Sequence, residues 1–394
     1  MHILEIVSFL PPYGGYFAIE QAAALQATGH HVSILYAQQL SLTLDGPAIW
    51  LRGQRPQTHP FAPRTVSIHT RYFRGIPKAV HHNQAAYCRH INQMYDHYVS
   101  RYGSPDILHA QAAKWAGIAA MQISRRTGIP YYVTEHFSSG SYEIDFGPGW
   151  TRHTWARQLI RQCYQHAACV IPVAYELIQD TAPYFGTDYA VHPISNITDT
   201  AFFAYRDRPI HPPRPYRYCC LAIANQQQFY RKGYDTLAQA WAIHRQRHPY
   251  TPLELHIAGR STDSPQFARH FQHHYRQPID KSIILHGNLD RHQVRDLLYQ
   301  SDALVLPSRS EVQPLVVMEA LSTGIPVAGT TAIPQNERIA DGVIISPIGD
   351  PQQLAQHLSD LTHIAPSPRY HEAVERLSSA ASVAKQLTSL FEQR

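Results

Sequence analysis

The feature that most constrains the fold is the alternation of short apolar runs with longer helical patterns along all 394 residues. The runs are rich in Val, Ile and Leu without strict apolar/polar alternation, which is typical of parallel strands covered on both faces. Six occur in the first half, at 3–9, 31–36, 107–110, 131–134, 169–173 and 190–194, and six in the second, at 219–224, 253–258, 283–286, 303–307, 326–329 and 343–346. We therefore predict an α/β protein with two doubly wound, Rossmann-like parallel-sheet domains.

The domain boundary is indicated by a proline-rich stretch, 206–216, which is unsuited to a helix or a central strand. A chain of this length also exceeds what one hydrophobic core usually holds. We predict a first Rossmann-like domain over residues 1–198 that binds the acceptor, and a linker that acts as a hinge over 199–216. A second such domain follows over 217–378, and a helix in 379–394 is expected to pack back on the first domain.

Composition narrows the class of protein. The formal net charge of +5 is too small to argue for a nucleic-acid partner, and we expect none. The five cysteines are odd in number and form no Cys-x-x-Cys motif, which favours a reducing cytoplasm. The sequence begins Met-His-Ile-Leu-Glu, without the basic residues of a signal peptide, and no apolar run reaches the length of a membrane span. Any membrane contact is therefore expected to be peripheral, at the inner face.

The most informative segment is 308–326, which follows the apolar run 303–307. Pro314 suits the first position of a helix, Gly324 suits its end, and Pro326 prevents its continuation. The pattern predicts a strand, a polar turn and a helix from Pro314 to Thr323. A helix that begins at the carboxyl edge of a parallel sheet attracts phosphate through its free N–H groups and its dipole.

Two carboxylates accompany this predicted helix. Glu311 lies in the turn before it and Glu319 in its second turn. Two glutamates on a solvated helix surface would need no ligand. The strand–turn–helix context and the apolar residues between them instead favour a site in which each carboxylate contacts a different part of one phosphorylated ligand, with a ribose as one such part.

The pattern Glu311-x7-Glu319, within Pro-Ser-x-x-Glu-x-x-Pro-Leu-x-x-x-Glu-Ala-x-x-x-Gly-x-Pro-Val, resembles the signature of the retaining GT-B glycosyltransferases of family 4. Further segments match that family in the same order: Pro12-x-x-Gly14-Gly15, 193–199, 231–237, 257–259 and 286–289. The resemblance covers nearly the whole chain. It implies two Rossmann-like domains that face each other across a cleft, and it implies a nucleotide sugar, of uridine or guanosine diphosphate, as the donor.

The resemblance also implies roles for individual residues. Glu319 would bind the ribose hydroxyls and Glu311 the donor sugar, while the amides of Leu315 and Val316 would hold the diphosphate. The loop at Gly14 and Gly15 would approach the phosphates or the acceptor, and Gly259 and Gly287 would line the nucleobase side.

A lysine and a histidine complete the implied catalytic set with Glu311. Lys232 would neutralise the charge that develops on the departing diphosphate. His136, at the end of the strand 131–134, matches a histidine that lies beside the reacting sugar in similar enzymes. One departure is clear, because the arginine that usually precedes the lysine is absent from 224–228. Either Arg231 replaces it as a phosphate ligand or the site uses neutral donors.

No Asp-x-Asp motif occurs in the chain, and the resemblance implies transfer without a metal or another cofactor. The nearest acidic pair, Glu143 and Asp145, is interpreted as an acceptor-side or solvated pair. The implied reaction retains the anomeric configuration through front-face attack by the acceptor, with an oxocarbenium-like transition state. Closure of the two domains would exclude water from the reaction.

The region 52–101 carries seven arginines and one lysine against a single acid, Asp96. A predicted helix over 80–102 adds aromatic and apolar positions: Tyr87, Ile91, Met94, Tyr95 and Tyr98. A basic, aromatic face suits a glycan or lipid-linked acceptor with anionic groups, or the membrane surface. The alternative is that these apolar residues pack on the sheet and that the cations are solvated.

Two other functions share the same motifs. A nucleotide-sugar epimerase of the GT-B type would act on the free nucleotide sugar without an acceptor. A non-catalytic nucleotide-sugar-binding module would bind the donor without turnover, in keeping with the missing arginine. The Glu-x7-Glu pattern and the Lys-Gly segment favour transfer, as in the synthesis of cell-surface polysaccharides or glycolipids.

Overall fold

The structure is a computed structural model that describes residues 1–10, 14–54, 66–140, 142, 153–208, 214–338 and 341–393. The chain forms two compact units. The first unit comprises Met1–Ile197 and Ala380–Arg394, and the second comprises Thr198–Ser379. The second unit is therefore inserted, in chain order, between two parts of the first.

The first unit contains a six-stranded parallel sheet in the order β3-β2-β1-β4-β5-β6. Its strands are β1 (His2–Val7), β2 (His31–Leu40), β3 (Ser67–Arg74), β4 (Ile107–Gln111), β5 (Tyr131–Glu135) and β6 (Cys169–Pro172). Its helices are α1 (Tyr16–Ala27), α2 (Gly46–Arg52), α3 (Val80–Tyr102), α4 (Ile118–Thr127), α5 (Thr154–His166), α6 (Glu176–Phe185) and the C-terminal α14 (Ala380–Glu392).

The second unit repeats this topology in the order β12-β11-β10-β7-β8-β9, again with every pair parallel. Its strands are β7 (Tyr216–Leu221), β8 (Leu253–Ala258), β9 (Ile283–Gly287), β10 (Ala303–Leu306), β11 (Val327–Thr330) and β12 (Val343–Ser346). Its helices are α7 (Gln226–Arg231), α8 (Tyr234–Arg247), α9 (Pro265–Tyr275), α10 (Arg291–Gln300), α11 (Leu315–Ser322), α12 (Pro351–Leu361) and α13 (Pro368–Ser378).

Each sheet has a buried apolar cluster on both faces. On β1, Leu4 and Ile6 join one cluster whereas Ile3 and Val7 join the other. The same alternation occurs in the second unit, where Val305 of β10 contributes to a different cluster from its neighbours. Because both faces are covered by helices, the strands read as continuous apolar runs, and the predicted doubly wound α/β fold is confirmed.

Two strand predictions were wrong. The run 190–194 forms only an isolated parallel bridge between Val170 and Val191, because the segment leaves the sheet after one pair. The strand β3 was not predicted at all. It is the outer strand of its sheet, most of its residues are partly or fully exposed, and its sequence contains two arginines and a histidine, so it lacks the apolar run of a central strand.

The predicted linker needs correction at its start. The backbone N–H of Thr198 donates to Ser378 O at 2.8 Å, and Phe203 is buried with Leu304 and Leu321 in the second unit. The residues after 198 therefore already pack on the second unit, because apolar and hydrogen-bonding groups anchor them there. The rest of the proline-rich stretch, 209–213, lies outside the described residues.

The helix predicted over 80–102 is present as α3, but its aromatic face is not on the surface. Tyr87, Ile91, Tyr95 and Tyr98 are buried in the apolar cluster against the sheet, and Met94 packs on that cluster. Burial of large apolar side chains against the sheet outweighs their exposure to water. The aromatic part of the predicted membrane face is thus wrong. Within the described residues, no helix has the length and apolarity needed to cross a bilayer.

A buried histidine on α8 makes the stability of the second unit sensitive to acid. His244 is 1% exposed and contacts Tyr218 and Ser359, and burial lowers its pKa to about 3. Below pH 6.5 His244 becomes protonated in the unfolded chain but stays neutral in the folded protein. The free energy of unfolding therefore falls as the pH drops toward 3. We expect His244 to contribute a loss of about 2 kcal/mol between pH 6.5 and pH 5.

Urea unfolding at several pH values tests this prediction. The slope of the free energy of unfolding against pH should be smaller in His244→Gln than in the wild type. The difference should correspond to the uptake of about one proton on unfolding. Equal slopes in the two proteins would contradict it.

Candidate active site

The carboxyl edge of the second sheet collects the residues that the sequence assigned to the donor. The strand order reverses between β7 and β10, which is the position where doubly wound sheets bind ligands. The segment after β7 brings Lys232, the turn after β10 brings Glu311, and Gly259 and Gly287 lie at the ends of β8 and β9. These residues are far apart in sequence and share one edge because parallel strands all end there.

The helix after β10 starts one residue later than predicted. Pro314 is the N-cap residue, with φ −77° and ψ 92°, and α11 runs from Leu315 to Ser322. The N–H of Val317 donates to Pro314 O at 2.9 Å. The first turn leaves the amides of Leu315 and Val316 without intrahelical acceptors, so this end of the helix suits an anion. Glu319 follows one turn later and is half-buried.

Lys232 and Glu311 form an ion pair at this edge. Lys232 Nζ lies 2.6 Å from Glu311 Oε1, and the two side chains are 14% and 7% exposed. A pair removed from water this far is stable only when both charges are present. The pair therefore holds the Lys232 ammonium beside the N-terminus of α11. A phosphate bound there would contact both the ammonium and the free amides of the helix.

A second set of contacts joins the same two turns. The guanidinium of Arg309 makes a two-pronged contact with Asp235, with both N–O distances at 2.7 Å, and it donates to Tyr230 O. Arg231 Nη1 lies 3.4 Å from Ser310 O. Arg309 and Asp235 were not predicted to serve the site, and no spacing pattern in the sequence pairs them. They fix the segment that carries Lys232 against the turn that carries Glu311.

The arginine missing before Lys232 is not replaced by Arg309, whose guanidinium is occupied by Asp235. Arg231 lies beside this turn and also donates to Gln228. A role for Arg231 as a phosphate ligand stays a prediction.

Gly259 permits a close approach of two chain segments at the edge. It adopts φ +138°, and a Cβ there would lie 2.0 Å from Ala222 O. Its N–H donates to Gly287 O at 2.7 Å, and the N–H of Gly287 donates to Thr262 Oγ1. Both predicted glycines thus belong to one hydrogen-bonded arrangement after β8 and β9.

We expect Gly259→Ala to destabilise the second unit by about 3 kcal/mol, through backbone strain and the clash with Ala222 O. Gly349→Ala is the matched control, because Gly349 has φ +77° and its Cβ would meet only the Arg309 guanidinium, at 3.9 Å. The control should lose about 1 kcal/mol for its φ alone. Thermal unfolding measures both, and equal losses would show that the close approach carries no cost.

In the first unit, His136 follows the carboxyl end of β5. Its Nε2 lies 2.9 Å from Gln111 Oε1, and its ring stacks on Phe17 with the centroids 3.9 Å apart. Burial lowers the pKa of His136 to about 3, with a smaller contribution from His109. The imidazole is therefore neutral at physiological pH and donates its Nε2 hydrogen to Gln111.

A buried polar chain lies behind this histidine. Gln111 donates to Glu5 Oε2 and to Gln21, each at 2.9 Å, and His109 Nδ1 lies 3.0 Å from Glu5 Oε1. All four side chains are buried. His109 thus belongs to this internal network, which fixes the orientation of Gln111 and hence the tautomer of His136.

Glu135 organises the turns around His136 and was not predicted. Its fully buried carboxylate accepts hydrogen bonds from the backbone N–H groups of Ala113, His136 and Phe137, and from the hydroxyls of Tyr142 and Tyr164. Burial raises its pKa, although these donors oppose the shift. The turn after β4 that it holds contains two non-glycine residues with positive φ, Ala112 at 76° and Trp115 at 68°. Strained backbone of this kind is concentrated at functional sites.

The glycine loop lies before α1. Gly15 adopts φ +78°, and a Cβ there would approach Phe9 O to 2.3 Å. Gly14 also has positive φ but has open space around it. Close packing on the backbone of Phe9, just after β1, therefore explains Gly15, whereas a ligand role for Gly14 stays a prediction. Pro12 of the same motif, and the pair Glu143 and Asp145, lie outside the described residues.

Comparison with known sequences identifies the family. The profile described as "Glycosyl transferases group 1" matches residues 217–363, and that described as "Glycosyl transferase 4-like domain" matches residues 15–196. Together they cover most of both units. The chain belongs to the group 1 glycosyltransferases of family 4, as the sequence motifs predicted.

The chain is 28% identical over 232 residues to the putative teichuronic acid biosynthesis glycosyltransferase TuaC of Bacillus subtilis, an alignment that covers 57% of this chain and 53% of TuaC. The chain spans between 53% and 64% of the length of the curated relatives that it matches.

Among solved structures, sucrose-phosphate synthase of Thermosynechococcus elongatus matches with a TM-score of 0.72 and 16% identity, over 100% of this chain and 99% of that one. Anabaena HepE in complex with UDP matches with a TM-score of 0.71 and 13% identity over the full length of both. These similarities confirm the GT-B fold.

Proposed function

We propose that this protein transfers a sugar from a UDP- or GDP-sugar to a glycan or lipid-linked acceptor. The observation that carries the proposal is the Lys232–Glu311 pair beside the N-terminus of α11. A buried ammonium and free helical amides together provide the positive potential that a nucleoside diphosphate requires. The crystal structure of the similar HepE in complex with UDP supports a uridine donor.

The proposed chemistry centres on the leaving group. As the bond between the anomeric carbon and the phosphate oxygen breaks, negative charge grows on the diphosphate, and Lys232 with the amides of Leu315 and Val316 stabilises it. The acceptor hydroxyl forms the new glycosidic bond on the same face, and its proton passes to the departing phosphate oxygen. The configuration is thereby retained. These fixed positive groups support a reaction without a metal.

Sugar and ribose recognition are assigned to the two carboxylates. We propose that Glu319 accepts hydrogen bonds from the ribose hydroxyls and that Glu311 contacts the donor sugar, where its charge also orients Lys232. Gly259 and Gly287 would contact the nucleobase through their backbone.

We propose that the first unit binds the acceptor, with His136 beside the reacting sugar. Because His136 is neutral, its role would be to hydrogen-bond rather than to transfer a proton at pH 7. The five cysteines are free thiols and buried, which supports a reducing compartment such as the cytoplasm. Contact with the membrane surface would depend on the basic residues of the 52–101 region alone.

A thermal-shift titration tests the donor site. UDP and GDP, and their sugar derivatives, are added to the wild type and to Glu319→Ala. We expect one nucleotide family to raise the wild-type melting temperature and Glu319→Ala to lose most of that shift. If no nucleoside diphosphate stabilises the wild type, the donor site is wrong.

Product analysis then tests the reaction. Incubation of the stabilising nucleotide sugar without an acceptor should leave the sugar unchanged apart from slow hydrolysis, whereas an acceptor pool should yield a glycoside. Conversion of the free nucleotide sugar to an isomer would indicate an epimerase. Tight binding with no turnover against any acceptor would indicate a binding module.

A further inference from the structure

A cavity of about 320 Å³ lies in the first unit between the outer strand β3 and the C-terminal half of α3. Its charged lining is entirely basic: Arg71 from β3 and Arg101 from α3, with His69 and His97 beside them. The volume is at the lower end of the range for small-ligand sites. It lies away from the carboxyl edge that carries His136, since the C-terminal half of α3 leads into the amino end of β4.

Cations in the last turn of a helix are stabilised by the helix dipole, so Arg101 alone would not define a site. The additional observation concerns His69. Its Nε2 atom is buried and has no hydrogen-bond partner among the residues that the structure describes, although its ring contacts Tyr98 and Tyr102. A buried ring nitrogen without a partner is costly unless a ligand or water supplies one.

The charges around His69 select the kind of partner. Burial lowers the pKa of His69, and the nearby His97 and Arg101 lower it further. Neither Arg71 nor Arg101 has an acidic partner within the described part of the chain, and Arg71 bonds only to the neutral Gln93 there. An anion in the cavity would offer acceptors to both guanidinium groups and to an Nε2–H of the neutral His69 ring at once.

We propose that this cavity binds a phosphate group. The two arginines would supply charge-assisted hydrogen bonds to its oxygens and His69 Nε2 a further one. The half-exposed ring of Tyr102 would contact the carbon atoms attached to the phosphate. The site is independent of the donor site and of the proposed transfer reaction. The phosphate group belongs either to the headgroup of an anionic phospholipid or to a soluble phosphate ester.

The test uses the full-length protein without any nucleotide sugar, so its outcome does not depend on the proposed function. Glycerol 3-phosphate is titrated by calorimetry, and co-sedimentation is measured with vesicles of phosphatidylcholine alone or with phosphatidylglycerol added. The cavity variant is Arg71→Gln with Arg101→Gln. The matched control is Arg125→Gln with Lys385→Gln, which removes the same charge from exposed positions of the same unit outside the cavity lining and outside the 52–101 region.

We expect the cavity variant to weaken binding about tenfold or more and the control to change it less than about twofold. His69→Phe keeps the ring packing and should weaken binding about threefold by removing Nε2. Binding of glycerol 3-phosphate assigns a soluble ester, and binding of phosphatidylglycerol vesicles without it assigns a headgroup; both support the site. Failure of both probes to bind, or equal weakening in the cavity and control variants, overturns it.

Discussion

Lys232→Ala is expected to lower kcat/KM for sugar transfer about a thousandfold. Lys232 is the one cation that the structure places in a buried ion pair beside the N-terminus of α11, among the described residues of the second unit. Loss of a preorganised charge that stabilises a leaving group costs about 3–4 kcal/mol in the transition state. Steady-state kinetics with the donor identified by thermal shift measures the effect.

The controls separate catalysis from folding. Lys281→Ala removes an exposed lysine of the same unit and should leave kcat/KM within about twofold. Lys232→Ala also leaves the Glu311 carboxylate buried without its partner, so part of any loss would come from local destabilisation. Lys232→Met combined with Glu311→Gln removes both charges and should recover the melting temperature but not the activity. A Lys232→Ala enzyme with near wild-type kcat/KM would refute the assigned role.

Glu135→Ala is expected to destabilise the first unit by about 4 kcal/mol. The substitution leaves the buried N–H groups of Ala113, His136 and Phe137 without their carboxylate acceptor, and each unsatisfied group costs about 1–3 kcal/mol. It also opens a cavity beneath the turn that carries His136. Urea unfolding, followed by a probe in the first unit, measures the loss of free energy.

Smaller substitutions in the same cluster provide the comparison. Tyr142→Phe and Tyr164→Phe each remove one hydroxyl that donates to Glu135, and each should cost about 1 kcal/mol. Hydrogen exchange adds a local readout, since the amides of His136 and Phe137 should lose protection in Glu135→Ala. A destabilisation no larger than that of the tyrosine variants would show that Glu135 does not organise these turns.

The sequence predicted the central strands well because each is an apolar run buried on both faces. The central strand 253–258 was predicted with the bounds that the structure shows, and the outer strand 343–346 was predicted as well because its residues are also mostly apolar. The outer strand β3 was missed because exposure lets it carry polar residues, so its composition carries no strand signal. The short bridge at Val191 shows the opposite error, since this apolar segment pairs with β6 at a single residue and forms no strand.

The predicted donor-site residues Glu311 and Glu319 lie in one local segment with fixed spacing, so the strand, turn and helix that carry them were predictable from the sequence. The supporting contacts were not. The pairing of Arg309 with Asp235 joins positions 74 residues apart in the chain, and Glu135 gathers donors from three separate segments. Such contacts follow from tertiary packing, and neither periodicity nor spacing in a single sequence reports them.

The helix α14 makes the two units unequal during synthesis. Val383, Ala384, Leu387 and Phe391 complete an apolar cluster whose other members lie mainly within the first 40 residues of the chain and near residues 107, 132, 169 and 194. The first unit therefore cannot close that cluster until residues 380–391 have left the ribosome, whereas the inserted second unit, being contiguous, has all its residues available earlier. For a nascent chain, the order of completion is thus the reverse of the order of translation: the unit that begins first finishes last.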